Sequence, residues 1–177
     1  TPIIRAAYKG HTDVVKLLLE YNADIAAKGR KGFTALIAAS QNGWKETVEL
    51  LLERGADPTA VLEDGSTALI AASFGGYHEI VDILAKANSH SVNARFKNGS
   101  TPLMTAALNG YVSVVRVLLE HSADVNATND DSWGALAVAA QKGCVQIVTL
   151  LLTANATVDA VTDRGFTPLM LAIKAGH

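Results

Sequence analysis

The sequence has one cysteine, Cys144, four prolines and few aromatic residues among its 177 positions. A single cysteine excludes an internal disulfide and a cysteine-cluster metal site, and it favours a reducing, intracellular and most simply cytoplasmic location. No apolar run approaches the roughly 20 residues of a membrane-spanning helix, and no secretory signal peptide is visible. A strong charge of one sign is also missing: the net charge is −2, so we expect neither nucleic acid nor a membrane as partner.

Patterns of catalytic chemistry are missing as well. The five histidines do not pair with cysteine or carboxylates at metal-ligand spacing. No phosphate-binding loop, dinucleotide fingerprint or nucleophile elbow occurs. We therefore predict no catalytic, cofactor-binding or metal-binding residues. Triplets that fit N-glycosylation start at Asn98, Asn126 and Asn155, and without a secretory signal we interpret them as chance.

The sequence instead repeats itself every 33 residues, with one step of 34. A threonine followed by proline or alanine opens a short apolar run in five repeats, and glycine opens one in the sixth. A fixed period of this length indicates a stack of like units and not one globular core. The six openings are at Thr1, Thr34, Thr67, Thr101, Gly134 and Thr167.

One repeat, from Thr101 to Ser132, shows the expected local structure. Thr101 suits a helix N-cap, and proline at the first helical position loses no useful N–H. Asn109-Gly110 ends this short helix, because glycine suits the left-handed position after a helix. A second apolar helix follows over roughly Val112–Glu120 and leads to an outward tip at 129–132. Each unit is therefore predicted to be helix, helix and protruding turn.

Residues 101–127 carry Thr-Pro-Leu-x-x-Ala-Ala-x-x-Gly, then Val-Val-x-x-Leu-Leu-Glu, then Ala-Asp-Val-Asn-Ala. This pattern resembles the ankyrin repeat, and the resemblance covers the whole chain. The family implies an α-class solenoid of stacked helix-turn-helix repeats with protruding β-hairpins. We expect one domain over 1–177 that belongs to a longer solenoid. Its repeats are predicted at 1–33, 34–66, 67–100, 101–133 and 134–166, with a partial repeat at 167–177.

Three departures from the family pattern carry predictions. The histidine that often follows Thr-Pro-Leu is replaced by apolar residues such as Ile37 and Met104, so apolar contact should replace its polar tie. The extra residue of the 34-residue step should lie in the turn at 87–91. Gly134 lacks the threonine cap and Ser132 stands where the tip glycine belongs, so we expect 129–136 to be the softest joint.

Family members usually bind proteins through their concave face, which the tips and the first helices form. Carried over by position, this implies a non-catalytic module that binds a protein or peptide of mixed charge. The non-repeating residues on this face are the predicted binding residues. They are the aromatic residues Phe33, Trp133 and Phe166, the tip charges Arg30, Lys31, Glu63, Asp64, Lys97, Asp130, Asp131 and Arg164, and the helix residues Tyr8, Gln41, Phe74, Leu108 and Gln141.

Other interpretations stay open at the level of the sequence. Any one of these side chains can equally be a solvated tip or an aromatic lid over the adjoining repeat. The chain can be a scaffold or spacer segment without a partner of its own, or it can recruit substrate for a catalytic domain elsewhere in a longer protein. We expect a monomer, with end-to-end self-association as an alternative. Trp44, Tyr77, Tyr111 and Cys144 are interpreted as packing residues of the turn between the two helices.

Overall fold

The computed structural model describes residues 1–177, and its regular structure consists of eleven short α-helices. Two additional 3-10 turns lie at Arg30–Gly32 and Ser89–Asn93. None of the helices has the length and apolar character that crossing a membrane requires. The helices are α1 (Pro2–Tyr8), α2 (Thr12–Glu20), α3 (Ala35–Gln41), α4 (Lys45–Glu53), α5 (Ala68–Gly75), α6 (His78–Ala87), α7 (Pro102–Leu108), α8 (Val112–Glu120), α9 (Ala135–Gln141), α10 (Val145–Thr153) and α11 (Pro168–Ala175).

The helices form two layers that run the length of the molecule. The first helices of successive repeats contact one another in the order α1, α3, α5, α7, α9 and α11. The second helices do the same in the order α2, α4, α6, α8 and α10. No sheet is present. The predicted all-helical repeat fold is therefore confirmed.

One apolar core extends through both layers, from Ile3 to Ala156. Paired alanines of the first helices, such as Ala38-Ala39 and Ala106-Ala107, are fully buried and let neighbouring helices approach closely. Leucines of the second helices fill the space between repeats, as fully buried Leu118 does. Each repeat therefore buries its apolar face mainly against its neighbours.

Apolar contact at the position of the family's histidine is confirmed inside the stack. Ile37, Ile70 and Met104 are all buried there. Met170 occupies the same position in α11, the last helix described, and is half exposed. A polar tie exists elsewhere: the Asn126 side chain accepts from the Thr157 N–H at 2.8 Å and donates to the Asn155 carbonyl at 3.3 Å.

The threonine that opens a repeat caps its first helix in four of the five repeats that have it, and Thr1 makes no such side-chain bond. In α3, α5, α7 and α11 its hydroxyl accepts a hydrogen bond from the N–H three residues later, at 3.2 to 3.3 Å. Gly134 precedes α9 with the same extended backbone, φ −98° and ψ 170°, but offers no side-chain cap. The sequence prediction of a missing cap is therefore confirmed, and the backbone at 134 is already suited to threonine.

We expect Gly134→Thr to raise the free energy of unfolding by about 0.5–1 kcal/mol. The threonine would supply the cap and would also restrict the unfolded chain. There is room, because a Cβ at 134 would lie 3.4 Å from the nearest non-adjacent atom, the Ala127 carbonyl oxygen. Urea unfolding measures the gain, and amide exchange over 129–136 should slow. Gly134→Ala, which cannot cap, is the control, and equal stability of the two variants would contradict the capping argument.

The turns between the two helices of each repeat carry a row of rings that pack on glycines. Trp44 lies over Gly10 of the preceding repeat, and its indole N–H donates to the Tyr8 carbonyl at 3.0 Å. Tyr77 lies between Gly43 of the preceding repeat and Gly75 of its own. Tyr111 covers Gly76 in the same way. The packing role predicted for these three rings is confirmed.

Cys144 also packs against the apolar core, as predicted, but it covers no glycine. It occupies the position of the rings, but its side chain is small, and the space that a Cβ on Gly110 would enter is open. Gly43 and Gly110 both have a left-handed backbone, with φ of 78° and 74°. The two glycines therefore differ in whether a ring lies above them, and not in backbone conformation.

We expect Gly43→Ala to destabilise the protein more than Gly110→Ala. Both changes place a side chain at positive φ, which costs about 1–3 kcal/mol. Only at Gly43 would the new Cβ collide with a ring, 2.5 Å from Tyr77 Cε1, and such overpacking adds about 1–3 kcal/mol. Urea unfolding of the two variants measures the difference. Equal losses would show that the ring moves aside freely.

The extra residue of the 34-residue step lies where the sequence placed it. After α6 the chain forms the 3-10 turn Ser89–Asn93 in place of the simpler turn of the other repeats. The Asn88 side chain accepts a hydrogen bond from the His90 N–H at 3.2 Å, and Val92 is fully buried. Because α6 has ten residues where the other second helices have nine, the insertion is absorbed at the end of α6 and in the turn after it, and α7 begins in register.

Both end faces of the stack expose apolar side chains. On α2 these include Val14 and Leu17. At the other end, α10 and α11 border an apolar groove of about 340 Å³ that Val148 and Leu169 help to line.

Candidate partner-binding face

Five tips protrude between the repeats, and they are tight turns with little strand character. Backbone bridges occur at Val61–Thr67 and Thr128–Gly134. Each tip is closed by a hydrogen bond from the N–H of its first residue to the carbonyl of its fifth, at 2.7 to 3.0 Å. The predicted hairpins are therefore closed turns on short flanks. We number the tips 1 (29–33), 2 (62–66), 3 (96–100), 4 (129–133) and 5 (162–166).

Backbone hydrogen bonds also join each tip to the next. The Glu63 N–H donates to the Lys31 carbonyl at 3.1 Å, and the Lys97 N–H to the Asp64 carbonyl at 3.0 Å. Equivalent bonds join tip 3 to tip 4 and tip 4 to tip 5, at 3.0 and 3.3 Å. The tips therefore form one continuous row, which runs beside the row of first helices. We call the surface formed by these two rows the tip face.

Tip 4 differs from the other tips, and the sequence predicted only part of the difference. Ser132 has φ 59°, in the left-handed region that glycine occupies in the other tips. Its hydroxyl is hydrogen-bonded to the carboxylate of Asp163 in tip 5. The Asn129 side chain accepts from two backbone N–H groups of its own tip, those of Asp131 and Trp133, at 3.1 and 2.8 Å. These bonds offset part of the strain, and the softness of the 129–136 joint stays a prediction.

The tip face contains three open grooves, each between a first helix and a tip. The N-terminal groove, of about 530 Å³, lies between α1 and tip 1. The central groove, of about 360 Å³, lies between α7, α9 and tips 3 and 4. The C-terminal groove, of about 300 Å³, lies between α9, α11 and tips 4 and 5.

Nine of the predicted binding residues line these grooves. Trp133 borders both the central and the C-terminal groove, which makes it the one aromatic residue shared by two. The nine are Tyr8, Arg30 and Phe33 in the N-terminal groove, Leu108, Asp131, Trp133 and Gln141 in the central groove, and Trp133, Gln141, Arg164 and Phe166 in the C-terminal groove.

The other predicted residues do not line these three grooves. Phe74 stands on α5 with its ring 61% exposed. The remaining six are Gln41 of α3 and the tip residues Lys31, Glu63, Asp64, Lys97 and Asp130. The aromatic residues Phe33, Trp133 and Phe166 therefore line grooves, whereas five of the eight predicted tip charges do not.

The predicted binding residues lack three cations that line the grooves, Arg5, Lys9 and Lys174. Lys174 lies in the C-terminal groove, and its ammonium is 4.6 Å from the ring centre of Phe166, within range of a cation–π contact. It occupies the same position in its repeat as Tyr8 and Leu108, so the period alone could have found it. Arg5 lies one turn before Tyr8 on α1, in a series that is otherwise small or apolar.

Asp64 already has a bonding partner within its own tip. Its carboxylate accepts a hydrogen bond from the Ser66 N–H at 2.9 Å. Hydrogen bonds from Ser66 are the main cause that holds the pKa of Asp64 below its usual range, and the positive charge of Lys97 adds to it. The charge of Asp64 therefore stabilises the turn, whatever else it contacts.

We expect Asp64→Asn to be less stable than the wild type at neutral pH, with the difference disappearing in acid. A lowered pKa means that the folded state favours the carboxylate, so its contribution is present above the unfolded pKa of about 3.9 and is lost as pH falls through the lower folded value. Thermal melting of both proteins from neutral pH to below pH ~4 measures this convergence. Glu63→Gln, which removes a charge from the same tip but keeps the Ser66 bond, is the control. A difference that persists unchanged in acid would contradict the assignment.

Two layers of short helices with a row of linked turns define a helical-repeat solenoid. The family model described as ankyrin repeats (3 copies) matches residues 1–62, 58–129 and 122–177. The chain therefore belongs to the ankyrin-repeat family, whose members generally mediate protein–protein interactions and are typically non-catalytic. A comparison with individually curated proteins gives no match.

Proposed function

We propose that this chain binds a protein or peptide segment on the tip face, the concave face of the family, and catalyses no reaction itself. The observation that carries the proposal is the clustering of three grooves on this one face, with Trp133 lining two of them. The intracellular, cytoplasmic location expected from the sequence is part of the same proposal. Ankyrin repeats are commonly intracellular.

The aromatic residues of the grooves have the character of binding hot spots. Phe33, Trp133 and Phe166 are each half buried, so part of every ring is fixed by the fold and part is open to a partner. Polar and charged side chains surround them, such as Asp131 beside Trp133 and Arg164 beside Phe166. An aromatic residue with a polar rim is the arrangement in which truncation most often weakens binding.

The linked tips also favour binding. Because each tip is closed by its own hydrogen bond and tied to its neighbours, its backbone loses little freedom when a partner docks. Less ordering on binding leaves more of the contact energy as affinity. The face is therefore a preformed surface in the unbound chain.

We expect the double variant Trp133→Ala, Phe166→Ala to lose at least about thirtyfold in affinity for a partner identified by a binding screen, because hot-spot truncations cost about 2 kcal/mol or more. Fluorescence anisotropy with the purified partner measures the affinity. The matched control is Tyr21→Ala, Val145→Ala, which removes exposed apolar side chains that lie outside the three grooves of the tip face, 81% and 74% exposed. Circular dichroism establishes that both variants fold.

Equal affinity of the two double variants and the wild type would refute this use of the face. The scaffold role is the second candidate, favoured by the apolar side chains on both end faces. Each end face presents half of the surface that internal repeats bury against one another, so association through the ends would leave the grooves unused. A partner whose binding depends on Val145 but not on Trp133 would support that role.

A further inference from the structure

The N-terminal and central grooves are built on the same frame in repeats 1 and 4. The same repeat positions line both, since Tyr8 corresponds to Leu108 and Phe33 to Trp133. Ile4 on the floor of the first groove likewise corresponds to Met104 in the other. The central groove is also bordered by tip 3 and α9, so the two grooves differ in these neighbours and in the few positions at which repeats 1 and 4 differ.

The difference is one of charge. Arg5, Lys9 and Arg30 line the N-terminal groove, and no carboxylate lines it. The corresponding positions in repeat 4 hold Thr105, Asn109 and Asp130. Of the two neighbouring carboxylates in tip 4, Asp131 lines the central groove. The C-terminal groove likewise has aromatic side chains, two cations and no carboxylate, and the N-terminal groove differs from it in having a third cation.

The fold gives one of these three cations a partner: the Lys9 ammonium lies 5.8 Å from the ring centre of Tyr8, within range of a cation–π contact. All three side chains are exposed, and none lies within ion-pair distance of a carboxylate. The chain's ion pairs join Lys45 to Glu79, and Asp82 to Lys86 and His121, all on second helices or at their ends. Cations that serve only as solvated surface need not converge with Tyr8 and Phe33 on one groove of about 530 Å³.

We propose that the N-terminal groove binds an acidic segment of the partner peptide, with Asp or Glu carboxylates against Arg5, Lys9 and Arg30. The inference rests on the proposed function and names the partner chemistry at one end of that face. An aromatic or aliphatic side chain next to the carboxylates packs on Tyr8 and Phe33. Arginine suits this role because its guanidinium can hold a carboxylate through two hydrogen bonds.

A peptide fits the charges better than a nucleic acid does. Tip 2, joined to tip 1 by the Glu63–Lys31 backbone bond, carries the carboxylates of Glu63 and Asp64. A long polyanion that left the groove toward tip 2 would meet these like charges, whereas a short acidic stretch ends before them. The net charge of −2 likewise gives a polyanion no attraction to the molecule as a whole.

The test uses three dye-labelled probe peptides that share one Gly-Ser frame. Their centres are Glu-Glu-Phe-Glu, Gln-Gln-Phe-Gln and Lys-Lys-Phe-Lys, so they differ in charge and keep the phenylalanine. Anisotropy on the full chain at low and high salt measures their binding. The groove variant is Arg5→Gln, Lys9→Gln, Arg30→Gln. The control variant, Lys16→Gln, Arg54→Gln, Arg116→Gln, has the same net charge, and its three cations are exposed and outside the groove.

We expect the Glu peptide to bind the wild type and the control variant equally and the groove variant about tenfold more weakly, because three exposed ion pairs together contribute about a factor of ten. The Gln peptide should not distinguish the two variants, and high salt should remove the difference between them. Equal binding of the Glu peptide to both variants overturns the proposal. Absence of Glu-peptide binding to the wild type, or stronger binding of a single-stranded oligonucleotide, overturns it as well.

The same probes separate this inference from the proposed function. The Trp133→Ala, Phe166→Ala variant keeps Arg5, Lys9 and Arg30, so it should bind the Glu peptide as the wild type does. If that variant keeps full affinity for the identified partner, the proposed use of the Trp133 grooves fails and the acidic subsite stands. If the groove variant binds the Glu peptide as the wild type does, while the Trp133→Ala, Phe166→Ala variant loses affinity for the identified partner, the subsite fails and the proposed function stands.

Discussion

The structure depends on one constraint: no repeat can bury its own apolar face. Helices of seven to ten residues are too short to be stable alone in water. Their alanines and leucines reach full burial only because the next repeat lies against them, as Ala39 and Leu51 show. Every joint must therefore be nearly identical, which fixes the residues that repeat. Residues that face neither neighbour escape this constraint, and these form the surface on which we propose that a partner binds.

The sequence predicted the fold because the residues that satisfy this constraint recur at a fixed period. Thr34 and Thr67 cap helices as expected, and the extra residue is absorbed at the end of α6 and in the turn before α7. The hairpins were predicted less well. Glycines at the tips indicate a tight turn, but the length of strand pairing depends on backbone bonds between neighbouring tips, which leave no pattern in side chains. For the same reason the sequence indicated that Ser132 replaces the tip glycine but did not predict its hydrogen bond to Asp163.

The candidate site was predictable as a set of positions and less so as chemistry. Counting along the period finds Tyr8, Leu108 and Gln141, and the structure places all three in grooves. The period cannot say which charges are already used. Asp64 looked like a free tip charge, yet its carboxylate holds the turn through Ser66. Arg5 was missed because its equivalents in other repeats are small or apolar, so nothing in the series marked the position as exposed.

The same geometry explains how a uniform stack can present a surface that is not uniform. Because the backbone frame repeats, grooves of similar construction form at three places where first helices meet tips, and the chemistry of each is set by a few positions. Arg30 in tip 1 and Asp130 in tip 4 occupy the same position with opposite charge. A partner lying along the face meets these charges in an order fixed by the stack. On the proposed function, the order of substitutions along the chain selects the partner, whereas the frame of the grooves comes from the repeat itself.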